Sequence, residues 1–419
     1  MDSILRNCFQ EDWVKNISTI IIDEIHIIGE RSRGPRLESL IVRLNEFLHQ
    51  PQIIGLSATI SNPEFFNDWL SSLGNQSTLI HSDKRPVPLH LSLKITRNKT
   101  STIKKIIKDM IEERGKVLIF VNRRKGASKL ALNLRNFVGR QCSESAIQAC
   151  KKLGDQLKSV QGGNKELQKT ITKGVAFHHA GLLSKERRIV EENFRQGKLK
   201  VICCTTTLSA GINLPARTVI VKDFKKYTAS GYHIKDFTGF YELGDGFSYF
   251  KPFSANEIFQ MVGRAGRPGL DSKGYGILLA KDIDERIWIE DHYFTKEQDG
   301  KRVKFLPCYN ALESAMNDAS TLKEQVLLRI YEEESITMGG LKHFFEKTYF
   351  WYNMEHEGDK PKMPIDQFLL IREVSPLNVL KLHSNPKKVR ALLKKKHHVK
   401  LSKINDSQIL GVVKSDYGV

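Results

Sequence analysis

Two acidic residues, Asp23 and Glu24, directly follow an apolar run that has the composition of a buried strand. Open α/β sheets bind ligands at the carboxyl ends of their strands, so the pair lies at a position where ligands are commonly bound. One carboxylate there can hold Mg2+ through water, while its neighbour can orient or deprotonate an attacking water. The pattern is weak alone, because an acid pair at a strand end also forms solvated turns.

The segment from Gln260 to Arg267 is more specific, since it contains two arginines three positions apart among glycines. If the segment is helical, Arg264 and Arg267 lie on one face of a turn, and the glycines allow close backbone approach. A guanidinium binds phosphate through two hydrogen bonds and can stabilise charge on a transferring phosphoryl group. A solvated basic helix is the alternative, and it explains the arginines but not the paired glycines.

Polar residues follow three further apolar runs. The hydroxyls and the glycine in the segment from Thr205 to Pro215 suit phosphate contacts, and residues 57 to 59, Ser-Ala-Thr, end another run. Adjacent histidines on a strand face opposite ways, so His178 and His179 are not expected to share a metal ion. We expect one of them to pack in the interior and the other to contact a phosphate or a carboxylate.

The order of the apolar runs predicts two doubly wound α/β lobes and a smaller third domain. Residues 1–82 form the first lobe, with a strand, a helix and a strand, and a linker with two prolines follows. Residues 87–282 form the second lobe, with five strands, and residues 285–419 form the third domain. Insertions are expected at about 140–172, which is polar and rich in lysine, and at 222–253.

The composition limits the possible partners and compartment. Sixty-six Lys plus Arg oppose 47 Asp plus Glu, giving a formal charge of +19, which suits nucleic acid or an anionic membrane but also a merely basic soluble protein. The six cysteines include no Cys-x-x-Cys pair, which argues against metal ligation and fits a reducing cytosol. No apolar run reaches the roughly 20 residues that span a bilayer, and the first residues lack an apolar signal-peptide core. We expect a cytoplasmic protein.

Ten aromatic residues lie between positions 222 and 253, and glycines interrupt them. This pattern favours a hairpin with turns over a helix. The rings could form a small core under a long loop, or one ring could stack on an unpaired base for roughly 1–3 kcal/mol and act as a wedge. The turn signal Gly-Asp-Gly at 244–246 makes Phe247 the candidate tip. The basic residues Lys394, Lys395 and Lys396 are either a solvated helix face or phosphate contacts.

Taken together, these segments resemble the superfamily-two DExH helicases in order and spacing. The matching segments are Asp23-Glu24-Ile25-His26, Ser57-Ala58-Thr59, Asn122-Arg123-Arg124, His178 to Leu182, Thr205 to Pro215, and Gln260 to Arg267. Residues 33–38 and the Asn-Leu-Pro-Ala at 213–216 resemble the Ski-like branch. Residues 322–351 resemble the winged helix of the archaeal DNA-repair helicases related to the polymerase-theta helicase. The resemblance implies two RecA-like lobes, the first incomplete, followed by an α+β winged-helix domain.

The resemblance also implies a role for individual residues. Asp23 would bind Mg2+, Glu24 would position the hydrolytic water, and Arg264 and Arg267 would contact the γ-phosphate. Residues that bind the nucleotide or couple it to strand grip would be His26, Ser57, Thr59, Gly211, Asn213 and Gln260. Residues that contact the nucleic-acid backbone would be Arg123, His179 and Thr205. The resembling DNA helicases split the duplex with a β-hairpin at the place of segment 222–253 in the chain, so Phe247 is the candidate wedge residue. The basic run adds Lys394, Lys395 and Lys396 as candidate phosphate contacts.

One expected motif is missing from the sequence. No Gly-x-x-x-x-Gly-Lys-Ser/Thr loop occurs, and only 22 residues precede Asp23. Because that loop supplies most of the phosphate binding, we expect a truncated chain that cannot hydrolyse ATP without a missing N-terminal half. The resemblance implies an ATP- and Mg2+-dependent helicase, monomeric and away from membranes, that binds forked or single-stranded DNA and unwinds DNA 3'–5' in DNA repair. The alternatives are a nucleic-acid-binding remnant that works without ATP, and an RNA helicase of the same branch.

Overall fold

The computed structural model describes residues 14–31, 33–74, 76–82, 84–208, 214–233, 247–299, 302–316, 319–332 and 338–356. The chain divides into two compact units, of which the first combines residues 1–81 with 311–419 and the second comprises residues 82–310. The first unit is therefore discontinuous in sequence. No helix within the described ranges is both long enough and apolar enough to cross a membrane.

The first unit contains the predicted strand, helix and strand. Strand β1 (Thr19–Ile22) pairs in parallel with β2 (Gln52–Gly55), and helix α1 (Gly34–Phe47) lies between them in the chain. A short 3-10 helix, Ile25–Gly29, leads into α1, and α2 (Pro63–Ser72) follows β2. A side chain at Gly34 would clash with the Ile28 carbonyl, so glycine is needed where α1 begins.

Three later helices complete the core of the first unit: α10 (Ala319–Glu332), α11 (Met338–Glu346) and α12 (Tyr349–His356). The apolar pattern predicts one helix from 338 to 351, and that prediction is wrong. Thr348 separates α11 from α12, because its hydroxyl donates to the Phe345 carbonyl (2.6 Å) and accepts from the Trp351 N–H (3.2 Å). The ring of Tyr349 packs 5.2 Å from that of Trp69 in α2.

The second unit contains a six-stranded parallel sheet. The sheet consists of β3 (Leu89–Ile95), β4 (Val117–Phe120), β5 (Val175–His178), β6 (Val201–Cys204), β7 (Thr218–Val221) and β10 (Gly274–Ala280). Two separate hairpins consist of β8 (Lys225–His233) with β9 (Phe247–Pro252), and of β11 (Phe294–Asp299) with β12 (Arg302–Pro307). The strand order is β3-β10-β7-β4-β6-β5. Five of these strands were predicted. The sixth, β3, alternates apolar residues with His90, Ser92 and Lys94, as suits a partly exposed edge strand.

Helices cover this sheet and supply its core. They are α3 (Lys99–Glu112), α4 (Arg124–Gln141), α5 (Glu144–Lys158), α6 (Lys165–Ile171), α7 (Ser184–Arg195), α8 (Ala255–Val262) and α9 (Ile283–Tyr293). The lysine-rich segment 140–172 contains α5 and α6, and Leu153, Leu157 and Leu167 are buried in the main core. The lysines thus lie on helices whose opposite faces are apolar.

Strands β8 and β9 pair in antiparallel fashion, with Lys225 opposite Pro252 and His233 opposite Phe247. This confirms the hairpin expected from the glycines of segment 222–253. The register shifts between Tyr227 and Tyr232. The predicted turn at 244–246 lies outside the described residues. Strands β11 and β12 form a second antiparallel hairpin.

Candidate nucleotide and nucleic-acid sites

The acidic turn lies at the carboxyl end of β1, as the sequence predicts. Asp23 is exposed, and Glu24 has φ 56° and ψ 43°, a left-handed conformation that costs energy for a residue with a side chain. The turn is fixed to β2, because the Ile25 N–H donates to the Leu56 carbonyl at 2.8 Å. Glu24 therefore has a strained backbone, and its carboxylate lies at the end of the sheet.

His26 connects the acidic turn to the Ser-Ala-Thr segment. Its Nδ1 accepts a hydrogen bond from the Ala58 N–H at 3.1 Å and lies 3.5 Å from Glu24 Oε2. Burial lowers the pKa of His26, although the Glu24 carboxylate opposes the shift. The ring is thus a neutral acceptor at Nδ1. Ser57 and Thr59, on either side of Ala58, are exposed.

Asp23 is compatible with the Mg2+ that the resemblance implies. Within the described ranges, no group of three or more His, Cys, Asp or Glu side chains could hold a metal ion by itself. Mg2+ usually keeps several waters and binds through one or two carboxylates together with substrate phosphates. A single exposed carboxylate therefore suits Mg2+ that is bound jointly with a nucleotide.

Three predicted nucleic-acid residues lie at one edge of the second unit's sheet. Arg123, His179 and Thr205 follow the carboxyl ends of β4, β5 and β6, which are neighbours in the order β4-β6-β5. The loops are connected, since the Thr205 N–H donates to the His178 carbonyl at 3.2 Å. The parallel sheet thus brings together residues that are far apart in sequence.

The two histidines have different partners, although both are buried. His178 is buried, with Nε2 at 2.8 Å from Glu191 Oε1. His179 stacks on Phe177 with ring centroids 5.4 Å apart, and its Nδ1 accepts from the Gly181 N–H. Burial lowers the pKa of both rings. His179 is only 6% exposed, so its contact with nucleic acid remains a prediction that this packing does not favour.

Arg123 packs on the hairpin. Its guanidinium carbon lies 4.6 Å from the centroid of the Phe250 ring in β9, a cation–π contact. The Arg123 residue is otherwise exposed at the start of α4. The predicted strand-gripping arginine and the predicted wedge hairpin are therefore physically linked. Phe247 begins β9, and its side chain lies outside the part of the chain that is described.

The arginine segment lies at the opposite edge of the same sheet. Ala216, just before β7, donates its N–H to the Arg264 carbonyl at 3.0 Å and accepts from the Gly266 N–H at 2.7 Å. Helix α8 ends at Val262, so Arg264 and Arg267 lie in a loop, and the expectation of one helical face is wrong. Gly266 has φ +91°, which an α-helix does not contain, and a side chain there would clash with Val87. Gln260 is half-buried in the last turn of α8.

Arg267 is held by a carboxylate four residues away. Its Nε and Nη2 donate to Asp271 Oδ2 and Oδ1, both at 2.6 Å, and the two side chains are 15% and 2% exposed. Burial alone would raise the pKa of Asp271, but the hydrogen bonds from Arg267 outweigh it and lower that pKa. In this conformation two of the guanidinium's donor groups are directed at Asp271 rather than at a phosphate.

Known proteins match most of the chain. Residues 1–66 match the DEAD/DEAH box helicase family and residues 98–269 match the helicase conserved C-terminal domain. The ATP-dependent DNA helicases Hel308 of Caldivirga maquilingensis and Pyrococcus horikoshii are each 34% identical, over 83% and 84% of this chain. The chain belongs to the superfamily-two helicases, in the Hel308 branch. It spans 44% and 45% of the length of these two Hel308 relatives.

Some of the predicted site residues fall outside the described residues: Gly211, Asn213, Lys394, Lys395 and Lys396. Other contributors were missed by the sequence reasoning. Asp271 could have been found, because a carboxylate four residues after Arg267 is a recognisable pairing distance. Arg85, which donates to carbonyls in the arginine loop, has no local signal, since it precedes Gly263 by 178 residues.

Proposed function

We propose that this chain is the part of an ATP-dependent DNA helicase that grips a nucleic-acid strand and supplies arginines for ATP hydrolysis. One observation carries the proposal: a single parallel sheet has predicted strand-gripping residues at its carboxyl edge and the arginine loop at its amino edge. A motor needs such an arrangement, because events at the nucleotide must be transmitted to the strand through a stiff body.

The acidic turn suits the hydrolytic step. Water attacks the γ-phosphorus, the bond to the bridging oxygen of the β-phosphate breaks, and ADP and phosphate leave. Asp23 would hold Mg2+, which neutralises charge on the phosphates. Glu24 would orient the water and accept its proton. The hydrogen bond from Ala58 to His26 would carry changes at Glu24 to the Ser-Ala-Thr segment.

We propose that the bound strand is DNA. Both Hel308 relatives compared above are named as DNA helicases, and a formal charge of +19 favours a polyanionic ligand. We propose that the helicase is a monomer that acts 3'–5' on single-stranded or forked DNA. Each neutralised phosphate contributes about 0.9 to the salt slope of duplex binding, so replacing Lys394, Lys395 and Lys396 should reduce that slope by up to about 3.

The test separates binding from hydrolysis. The 419-residue chain is first titrated with single-stranded DNA and with RNA of the same sequence at several salt concentrations. ATPase is then measured after fusion to the P-loop-bearing segment of a Hel308 relative, with Glu24→Gln as the inactive control. We expect salt-dependent DNA binding and an ATPase that DNA stimulates more than RNA does. Binding without ATPase in the fusion would mean a binding module, and stronger stimulation by RNA would mean an RNA helicase.

A further inference from the structure

Arg85 contacts the arginine loop although it is distant in sequence. It lies in the segment 84–88, which precedes β3, and its Nη2 donates to the Gly263 carbonyl at 2.6 Å and to the Ala265 carbonyl at 3.0 Å. The carbonyl between these two belongs to Arg264 and accepts from the Ala216 N–H. Three consecutive carbonyls around Arg264 are therefore each bonded to a donor from elsewhere in the unit.

The loop needs such support, because it has no regular secondary structure of its own. It begins where α8 ends, and the last carbonyls of a helix lack partners within the helix and attract cations. Val87, two residues after Arg85, is buried and faces Gly266 so closely that no side chain would fit there. Segment 84–88 thus contributes both a charged hydrogen-bond donor and an apolar contact to the loop.

We propose that Arg85 is a positioning residue that holds the loop of Arg264 and Arg267 in one conformation, so that an arginine can meet the γ-phosphate. This inference rests on the proposed function for its catalytic consequence, but not for the loop contact. Arg85 acts on the backbone of the arginine loop, because its Nη2 donates hydrogen bonds to two of the loop's carbonyls. Its loss should therefore lower kcat and leave strand binding unchanged, since Arg123, His179 and Thr205 lie at the other sheet edge.

The first experiment is hydrogen–deuterium exchange on the 419-residue chain, with Arg85→Ala, Arg85→Lys and the exposed neighbour Lys84→Ala as a matched loss of charge. Arg85→Ala should speed exchange of amides 263–267 by about tenfold or more, with β4 and β6 unaffected. Arg85→Lys should recover part of the protection, because an ammonium can also donate to two carbonyls. Unchanged exchange in Arg85→Ala, or equal acceleration in Lys84→Ala, would overturn the proposal.

The second experiment measures steady-state ATPase of the same variants in the fusion with a P-loop segment. A displaced arginine loop should lower kcat by about tenfold to 100-fold, with little change in the Kd for single-stranded DNA. Wild-type kcat in Arg85→Ala would overturn the positioning role. A wild-type fusion without ATPase would instead refute the proposed function, while the exchange result would still decide whether Arg85 holds the loop.

Discussion

Replacing Glu38 with glutamine should abolish the loss of the first unit's stability that we expect as the pH rises from 5 to 8. Glu38 lies in α1 and is fully buried. Its Oε2 accepts from Ser314 Oγ at 2.5 Å and its Oε1 accepts from the Phe350 N–H at 2.7 Å. Burial raises the pKa of Glu38 to about 7, although these hydrogen bonds oppose the rise.

The direction follows from proton binding in the two states. The unfolded chain releases the Glu38 proton near the ordinary pKa of 4.5, whereas the folded unit retains it to about 7. The stabilisation is therefore complete below pH 4.5 and is lost as the pH rises to 7. This difference between the folded and unfolded pKa values corresponds to about 3 kcal/mol in the free energy of unfolding. Glutamine does not titrate, yet it can accept from Phe350 and donate to Ser314.

The assay is hydrogen exchange of α1 and α12 peptides at pH 5, 6, 7 and 8, corrected for the intrinsic rate, in wild type and Glu38→Gln. The exposed Glu64→Gln, in α2, is the control. Wild type and the control should lose protection as the pH rises, whereas Glu38→Gln should not. The same pH dependence in all three proteins would refute the reasoning, because it would mean that Glu38 titrates alike in both states.

Three further changes test other contacts. His26→Ala should speed exchange of the Ala58 amide by about tenfold, because a neutral hydrogen bond contributes on the order of 1 kcal/mol. Asp271→Ala should lower the free energy of unfolding of the second unit by about 3 kcal/mol, because the Arg267 guanidinium stays largely buried without its carboxylate; denaturant unfolding measures this. Phe247→Ala in the P-loop fusion should lower duplex unwinding and spare single-strand-stimulated ATPase, as expected of a wedge.

Each of these changes has an informative control or contrary result. Asp284→Ala, at an exposed position in α9, is the control for charge loss. Unchanged stability in Asp271→Ala would mean that solvent replaces the lost partner. An unaffected Ala58 amide in His26→Ala would show that another group holds the Ser-Ala-Thr segment. Loss of both unwinding and ATPase in Phe247→Ala, with a lower Tm, would assign the ring to the hairpin core.

The sheet was largely predictable because its central strands are buried on both faces. Strands β4, β6 and β7 are continuous apolar runs, and such runs are typical of parallel strands. The same reasoning missed β3, whose edge position allows polar residues on alternate positions. It also predicted a helix through Arg264 and Arg267, because residue spacing reveals neither the positive φ of Gly266 nor its close approach to Val87.

Contacts between residues far apart in the chain could not be predicted from the sequence. Glu38 belongs to a segment recognised by resemblance, but its hydrogen-bond partner Ser314 is 276 residues away. Nothing in local periodicity indicates that residues after 311 complete the core of the first unit. The site was predictable where residues follow strand ends, as with Asp23 and Arg123, since sheet geometry then brings them to an edge. The support that Arg85 gives to the arginine loop was not predictable, because a single arginine among many forms no sequence pattern.

The discontinuity of the first unit has a consequence for synthesis on the ribosome. Residues 82–310 emerge as one uninterrupted stretch and can fold as soon as they leave the exit tunnel. The first unit cannot complete its core until Tyr349 and its neighbours follow, so Phe66 and Trp69, which both pack against Tyr349, lack that ring in the meantime. During that interval the nascent chain should expose the apolar face of α2. The second unit should therefore complete its fold before the first unit does.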